Sequence, residues 1–254
     1  MIRATIGIFS QGGVAIDADA QAFFDRVDTA GGTLSATEQV AVNRLVLDMK
    51  DYGIWSSMKA IYPMVGASAS ACAQNLKSSS FTGTFIGAWT FASTGVTGNG
   101  TNTSFNTTIN PSIDLSLNDV HISFYSRTDN DQNGVDMGTD KLTIQFYGGS
   151  LYYRINSSSY ASLGAYASNK FALGSRISSS QQKLYLNDTL EDTTNSSTAP
   201  LDNKDLRLGS WDDDDFPTDR EYAFASIGNG LTDSEASDFY DAVQTFNTTL
   251  SREV

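Results

Sequence analysis

The feature that most constrains the fold is a run of short apolar segments between residues 59 and 227, separated by clusters of Gly, Asn, Ser and Asp. Short segments bounded by turn-forming residues are typical of β-strands. In one of them Leu142, Ile144 and Phe146 alternate with polar residues, which predicts a strand with one buried face. A Gly-Gly pair at 148–149 then predicts a hairpin turn. Because almost no helical pattern interrupts the run, it predicts a mainly β protein built from two packed antiparallel sheets.

The clearest strand candidates are residues 60–65, 85–91, 121–126, 141–147, 151–155, 171–177, 183–186, 206–208 and 221–227. In the candidate that begins at His121, the histidine shares a face with Ser123 and Tyr125, which predicts a surface position for His121. Cys72 lies among small residues without a neighbouring His, Lys or Arg, so we expect a buried, unreactive thiol.

Helical patterns lie at the two ends of the sequence. Ser35 and Glu38 have the spacing of a capping box, in which each side chain binds the other residue's backbone N–H group, and an apolar stripe follows them. Thr232 and Glu235 repeat this spacing before a C-terminal stripe. Another stripe, earlier in the chain, ends at a Gly-Gly pair and predicts the first helix of an N-terminal hairpin.

These patterns divide the chain into two regions. Residues 1–58 are predicted to be a helical docking region, and residues 59–254 a β-sandwich with a closing helix. Two short helices cannot bury both of their stripes against each other, so the hairpin is expected to pack on the sandwich or on a partner chain.

Charge and hydropathy exclude two classes of partner. The chain carries 16 Lys and Arg against 29 Asp and Glu, a formal net charge of −13. Such a chain repels phosphate backbones, and no Lys and Arg cluster reverses the sign locally, so we expect no binding to nucleic acid. No segment has the apolar length needed to cross a bilayer, so we expect no membrane insertion.

The C-terminal part resembles a known fold family. The sequence EYAFASIGNGLTDSEASDFY at 221–240 resembles the closing strand and helix of laminin-G-like, concanavalin-A-like domains. KLYLND at 183–188 and LRLG at 206–209 resemble two further strands of these domains. The resemblance implies an antiparallel β-sandwich of the concanavalin-A-like jelly-roll type. It does not imply a function, because this sandwich serves lectins, adhesion modules, glucanases and inert spacers alike.

A second resemblance concerns the protein's context. Residues 55–66, 72–77 and 89–100 resemble a recurring block in tailed-bacteriophage virion proteins, in which a helical hairpin precedes this sandwich. The resemblance implies a virion structural protein, either a capsid decoration protein or head fibre or a tail-associated protein. Its partners would be other virion proteins. Homo-oligomerisation is expected, because symmetric assembly needs only one self-complementary patch.

Catalytic chemistry is not expected. Glucanases of this fold need two carboxylates across the scissile bond, and none of the five Glu, at 38, 191, 221, 235 and 253, has a Glu partner at strand spacing. A serine hydrolase would have to use His121, the only His, without a recognisable nucleophile loop. One Cys and one His also cannot supply the ligands of a conventional zinc site. We therefore predict a non-enzymatic protein that needs no cofactor.

Calcium is the one metal that the sequence suggests. Asp129, Asp131 and Asn133, followed by Gly134 and then Asp140, match much of the twelve-residue calcium-loop pattern. A polar hairpin turn would use the same residue types for its own geometry. The four oxygen-bearing residues are thus candidate calcium ligands, with a metal-free turn as the alternative.

Glycan binding is the alternative function. An exposed aromatic platform beside polar donors suits sugars, and Tyr152, Tyr153 and Trp211 are the candidate residues. The same aromatic residues at alternate positions also suit a sandwich core or an interface. On this interpretation the chain is a host-adhesion module that binds a host surface glycan, with calcium as a candidate ligand. The carboxylates at 212–215 follow Trp211 directly and are predicted to form a solvated loop.

Overall fold

Two antiparallel sheets and three longer helices make up the part of the chain that the structure, a computed structural model, describes: residues 15–211 and 214–254. Residues 1–14 of the predicted docking region, and the acidic residues Asp212 and Asp213, lie outside the described residues. The helices are α1 (Ala18–Thr29), α2 (Ala36–Asp51) and α5 (Asp233–Thr249), with short helices α3 (Ala69–Cys72) and α4 (Pro111–Asp114) between them.

Eight strands form the first sheet, in the order β13-β12-β11-β6-β15-β4-β3, with β1 also paired to β15. They are β1 (Met58–Tyr62), β3 (Thr90–Ala92), β4 (Gly95–Thr97), β6 (Val120–Ser126), β11 (Phe171–Arg176), β12 (Gln181–Leu186), β13 (Thr189–Asn195) and β15 (Glu221–Gly228). Seven strands form the second sheet, in the order β10-β9-β8-β7-β14-β5-β2. They are β2 (Thr84–Ile86), β5 (Ser104–Asn106), β7 (Met137–Gly138), β8 (Leu142–Tyr147), β9 (Ser150–Ile155), β10 (Ala161–Leu163) and β14 (Arg207–Leu208). The predicted mainly β, antiparallel sandwich with helices at both ends is confirmed.

Alternate side chains of both sheets fill the space between them. Leu142, Ile144 and Phe146 of β8 all lie in this core, as their alternation predicts, together with apolar side chains of β6. Gly148 and Gly149 form the predicted hairpin turn between β8 and β9, and their φ angles of 57° and 74° are ones that glycine adopts without strain. Burying each large apolar side chain of the core contributes roughly 1.5–3 kcal/mol.

The helices cover the outer face of the first sheet. Phe23 of α1, Leu45 of α2 and Phe239 of α5 are buried in one cluster with Phe171 of β11 and Phe224 of β15. The Phe239 ring lies 5.6 Å from the Phe171 ring and 5.9 Å from the Phe224 ring, between centroids. The apolar stripes of the hairpin are therefore buried in one cluster with α5 and the first sheet. None of the described helices is long and apolar enough to span a bilayer.

Both predicted capping boxes are present. The Ser35 hydroxyl accepts from the Glu38 N–H group at 3.2 Å, and the Glu38 carboxylate accepts from the Ser35 N–H group at 2.8 Å. Thr232 and Glu235 exchange the same two bonds at the start of α5, at 3.4 and 2.8 Å. Each box satisfies two backbone donors that a helix start leaves without partners.

The predicted surface position of His121 is wrong. Its side chain is fully buried, because α5 covers this face of β6 and the Phe239 ring lies 6.0 Å from the imidazole. The ring Nδ1 contacts the Asn229 carbonyl oxygen, and Nε2 lies 3.0 Å from the Ser226 hydroxyl, which bonds to Ser123 at 2.7 Å. The polar residues of this face thus satisfy one another beneath the helix.

The predicted strand at 85–91 is two short strands in different sheets. Gly87 separates β2 from β3 with a φ of 79°, and a Cβ atom at this position would lie 2.2 Å from the Asn102 carbonyl oxygen. The prediction for Cys72 is confirmed: its buried thiol donates to the Val65 carbonyl oxygen at 3.3 Å, and burial raises the thiol pKa to about 12.

Candidate functional site

Strand β9 divides the predicted aromatic residues between two environments. Successive side chains of a strand point to opposite faces, so Leu151, Tyr153 and Ile155 face the core while Tyr152 and Arg154 face outward. The structure corrects the assignment of Tyr153: its ring is fully buried and its hydroxyl donates to Asp192 Oδ2 at 2.9 Å. Tyr153 is therefore a core residue that no glycan can reach.

The outer face of the second sheet brings the other two predicted residues together around an arginine. The Arg154 guanidinium carbon lies 3.9 Å from the centroid of the Tyr160 ring and 5.8 Å from that of Trp211. Tyr152 packs edge-on against Tyr160 at 6.2 Å, and Phe216 lies 5.9 Å from Trp211. We call Tyr152, Arg154, Tyr160, Trp211 and Phe216 the aromatic platform.

Two facts about the sequence explain how the platform forms. Tyr152 and Arg154 are two positions apart on β9, which puts them on one face. Trp211 and Phe216 come from the segment between β14 and β15, where Trp211 and Asp215 form an isolated β-bridge. Arg154 and Phe216 carried no signal in the sequence, because neither residue type is unusual in a strand or a loop.

Carboxylates lie beside the cations of the platform. Arg154 Nη2 lies 3.2 Å from Asp140 Oδ1, and the Lys141 ammonium contacts the other oxygen of Asp140. The hydrogen bond from Lys141, together with the charge of Arg154, lowers the pKa of the Asp140 carboxyl below its ordinary value. Arg207 lies on the same face as Arg154, because its row of cross-strand neighbours leads to Arg154. It donates from Nε to Asp214 Oδ1 at 2.9 Å.

Three donors on this face lack a hydrogen-bond acceptor among the described residues. They are Arg154 Nε, Arg207 Nη1 and Trp211 Nε1, all of which are buried. Buried donors in folded proteins are almost always paired, with protein, water or ligand. The face therefore combines partly exposed aromatic rings with paired charges, which are features of a site for a polar ligand with apolar faces.

The four predicted calcium ligands do not converge. Asp129 Oδ1 accepts from the Ser168 N–H group at 2.9 Å, while Asn133 forms an isolated β-bridge with Tyr147. Asp131 lies beside Gly149 of the hairpin turn, and Asp140 belongs to the ion pairs next to the platform. Nowhere in the described ranges are three His, Cys, Asp or Glu side chains grouped to hold a metal ion. These residues thus do not fit a calcium loop.

A buried ion pair holds the stretch of chain that contains these residues. Arg220 Nη1 donates to Asp136 Oδ1 at 3.0 Å, and both side chains are buried. Asp136 also accepts from the Tyr222 hydroxyl at 2.9 Å and from the Phe146 N–H group at 2.7 Å. Burial acts to lower the pKa of Arg220, but the Asp136 carboxylate more than offsets this and the pKa is raised. The sequence analysis missed this pair, whose members lie 84 positions apart.

Comparison with known proteins identifies the fold. No family model and no curated protein matches the sequence. Among solved structures, the chain is similar to domain 4 of an extracellular family 43 arabinanase from Geobacillus stearothermophilus, in complex with arabinotriose. The TM-score is 0.52 and the identity 14%, over 72% of this chain and 98% of that one.

Two larger proteins contain the same fold. The botulinum neurotoxin serotype D binding domain aligns with a TM-score of 0.54 at 12% identity, over 74% of this chain and 52% of that one. Trypanosoma rangeli sialidase in complex with sialic acid aligns with a TM-score of 0.53 at 8% identity, over 73% of this chain and 33% of that one. The chain thus spans about half and about a third of these two. At such identities the likeness shows a lectin-like β-sandwich fold and no more.

Proposed function

We propose that this chain is a non-catalytic carbohydrate-binding module and that the aromatic platform holds the glycan. The observation that carries the proposal is the stacking of Tyr160 and Trp211 around the Arg154 guanidinium on the outer face of the second sheet. Pyranose rings present apolar C–H faces and polar edges, so they pack on aromatic rings while their hydroxyl groups bond to charged side chains and N–H donors.

The charges beside the platform favour a neutral glycan. Arg154 is paired with Asp140 and Arg207 with Asp214, so neither arginine presents an uncompensated positive charge. A sulfate or carboxylate on the sugar would meet these aspartates within a chain of net charge −13. Neutral hydroxyl groups can instead donate to the Asp140 carboxylate, whose side chain is 45% exposed, without that repulsion.

The Asp140 carboxyl does not suit the general acid of a glycoside hydrolase. Glycoside hydrolysis needs a carboxylic acid whose pKa is raised, so that it holds a proton near neutral pH. The pKa of Asp140 is lowered, chiefly by Lys141. A carboxylate held in this way accepts hydrogen bonds from hydroxyl groups and donates no proton to a leaving group.

The similar structures support the proposal through their ligands. One of them was solved with arabinotriose and another with sialic acid, and a third is the binding domain of a neurotoxin. These are properties of those proteins. For this chain they make a binding face on a lectin-like sandwich a reasonable proposal, which variants of the platform can test.

Titration calorimetry on two matched tyrosine variants tests the glycan site, with ligands taken from an array of neutral and acidic glycans. Tyr160 on the platform is 38% exposed and Tyr52, which follows α2, is 41% exposed. Tyr160→Ala is expected to weaken binding roughly tenfold or more, as loss of an aromatic anchor does. Tyr52→Ala should leave the affinity unchanged. Equal affinities in both variants, or preferential binding of acidic glycans that survives Tyr160→Ala, would contradict the proposal.

We further propose that the module is displayed on a virion, where it assembles with other virion proteins and with copies of itself. This context rests on the resemblance of residues 55–66, 72–77 and 89–100 to phage virion proteins. Because the apolar stripes of α1 and α2 are buried in one cluster with α5 and the first sheet, docking through residues 1–58 would use their outer faces. Val40 on α2, 47% exposed, and Tyr52 just after α2, 41% exposed, are two exposed apolar residues of this region.

Surface variants test the docking proposal better than deletion of the helices, which would uncover the sheet. Val40→Arg combined with Tyr52→Arg is expected to lower the number of copies on purified particles while the Tm stays unchanged. An unchanged copy number would argue against docking through this surface. The corresponding control is Ile177→Arg, which changes an exposed residue just after β11.

A further inference from the structure

Four oxygen atoms surround the guanidinium group of Arg220. Nη1 donates to Asp136 Oδ1 at 3.0 Å, and Nη2 donates to the carbonyl oxygens of Phe146 at 2.9 Å and Asn130 at 3.1 Å. The Gln132 carbonyl oxygen lies 3.4 Å from the same nitrogen. One carboxylate and three backbone carbonyls form the kind of oxygen set that binds a hard cation such as Ca²⁺.

Two of these carbonyls belong to the stretch that matches a calcium loop in the sequence. We propose that the Arg220 guanidinium takes the place of a bound metal ion in this stretch and holds its oxygen atoms together. A guanidinium group is planar, carries its charge permanently and donates in several directions at once, which allows it to satisfy several oxygens together. This proposal does not depend on glycan binding.

The cation joins two segments at one end of the sandwich. One runs from residue 127 to 136 and the other comprises residues 209–211 and 214–220, and Arg220 itself belongs to the second. Further bonds hold the segments together: Val135 N–H donates to the Phe216 carbonyl at 2.9 Å, and Gly209 N–H donates to the Asp136 carbonyl at 2.6 Å. Arg220 is therefore a positioning residue for the segment that carries Trp211 and Phe216.

Removing the guanidinium should loosen both segments. In Arg220→Ala the Asp136 carboxylate stays fully buried without a counter-charge, and three carbonyls lose their donor. Loss of one partner of a buried ion pair is strongly destabilising, so the Tm should fall by roughly 6–20 °C. Hydrogen exchange of peptides from 127–136 and 209–220 should accelerate at least about tenfold.

Chemical rescue is the decisive test. In Arg220→Ala, about 50 mM guanidinium chloride, far below denaturing concentrations, should restore at least half of the lost exchange protection in the two segments, and equal NaCl should not. The matched control is Arg176→Ala. Arg176 is a buried arginine bonded to the Ile155, Ser178 and Ser196 carbonyl oxygens, and its loss should lower the Tm without exposing the two segments.

A second variant keeps the test decisive if Arg220→Ala does not fold. Arg220→Lys keeps a positive charge, but its compact ammonium cannot reach all four oxygens. Faster exchange in both segments, unaffected by guanidinium chloride, is expected. Three results would each overturn the proposal: protection in Arg220→Lys equal to wild type, a folded Arg220→Ala that guanidinium does not protect, or a rise in the wild-type Tm on adding calcium.

Discussion

The buried His121 should make the stability of this protein depend on pH in a definite direction. Burial lowers the pKa of this imidazole from an ordinary 6.5 to about 4, against the opposing effect of the Asn229 carbonyl. Because a carbonyl oxygen only accepts, Nδ1 carries the proton of the neutral ring and Nε2 accepts from Ser226. The folded state thus holds a neutral histidine.

The sign and the size follow from proton linkage. Between pH 6.5 and pH 4 the unfolded chain binds a proton at His121 and the folded chain does not, so stability falls as the pH falls. This loss of stability is absent above pH 6.5, the pKa of His121 in the unfolded chain. It reaches its full size near pH 4, the pKa of His121 in the folded protein. The difference in pKa is worth about 3 kcal/mol, or roughly 6–12 °C in Tm for a chain of this length.

Urea unfolding of wild type and His121→Gln, at intervals from pH 7.5 to pH 4, measures this contribution. The glutamine is neutral throughout and its amide can still donate to Asn229. Carboxylates such as Asp140 and Asp233, whose pKa values are lowered by Lys141 and Lys183 respectively, destabilise both proteins alike at low pH. The difference between the two curves therefore isolates the histidine, and parallel curves from pH 6.5 to pH 4 would refute the reasoning.

Three further predictions follow from the packing and the charges. Millimolar calcium against EDTA should leave the Tm unchanged, because Arg154 and Lys141 neutralise Asp140 and because Arg220 bonds to the carbonyls of the loop; differential scanning calorimetry checks this. Phe239→Ala should cost about 3–5 kcal/mol in urea unfolding, since its fully buried ring joins α5 to the sheet; a cost below 1 kcal/mol would contradict the packing. A chain of residues 59–254 alone should aggregate or unfold in size-exclusion and circular-dichroism measurements, because the face that α1 and α2 cover is apolar; a stable monomer would contradict this.

Local patterns in the sequence predicted much of the fold. The two capping boxes and the Gly-Gly hairpin are formed by neighbouring residues, so their geometry could be inferred without the tertiary structure. Strand β13 was missed because its residues, Thr189–Asn195, are mostly polar and because, among the described strands, it pairs with β12 alone, at the edge of the sheet. His121 was misplaced for a tertiary reason: a helix from the far end of the chain covers its strand.

The candidate site was only partly predictable. Tyr152 and Trp211 do lie together on one face. Tyr153 was predicted to bind there as well, but strand alternation places its side chain in the core. The contacts of the stretch with the calcium motif could not be predicted for a different reason. Arg220 lies about 90 residues from the carbonyls that it binds, and backbone oxygens leave no trace in the residue types of a sequence.

A crystal structure of the wild-type protein with a bound neutral oligosaccharide, selected on a glycan array, tests the proposed glycan site. We expect a sugar ring packed against Tyr160 and Trp211, with a hydroxyl group donating to the Asp140 carboxylate. A sugar bound on the helical side of the molecule, or an array on which no glycan binds, would contradict the central claim.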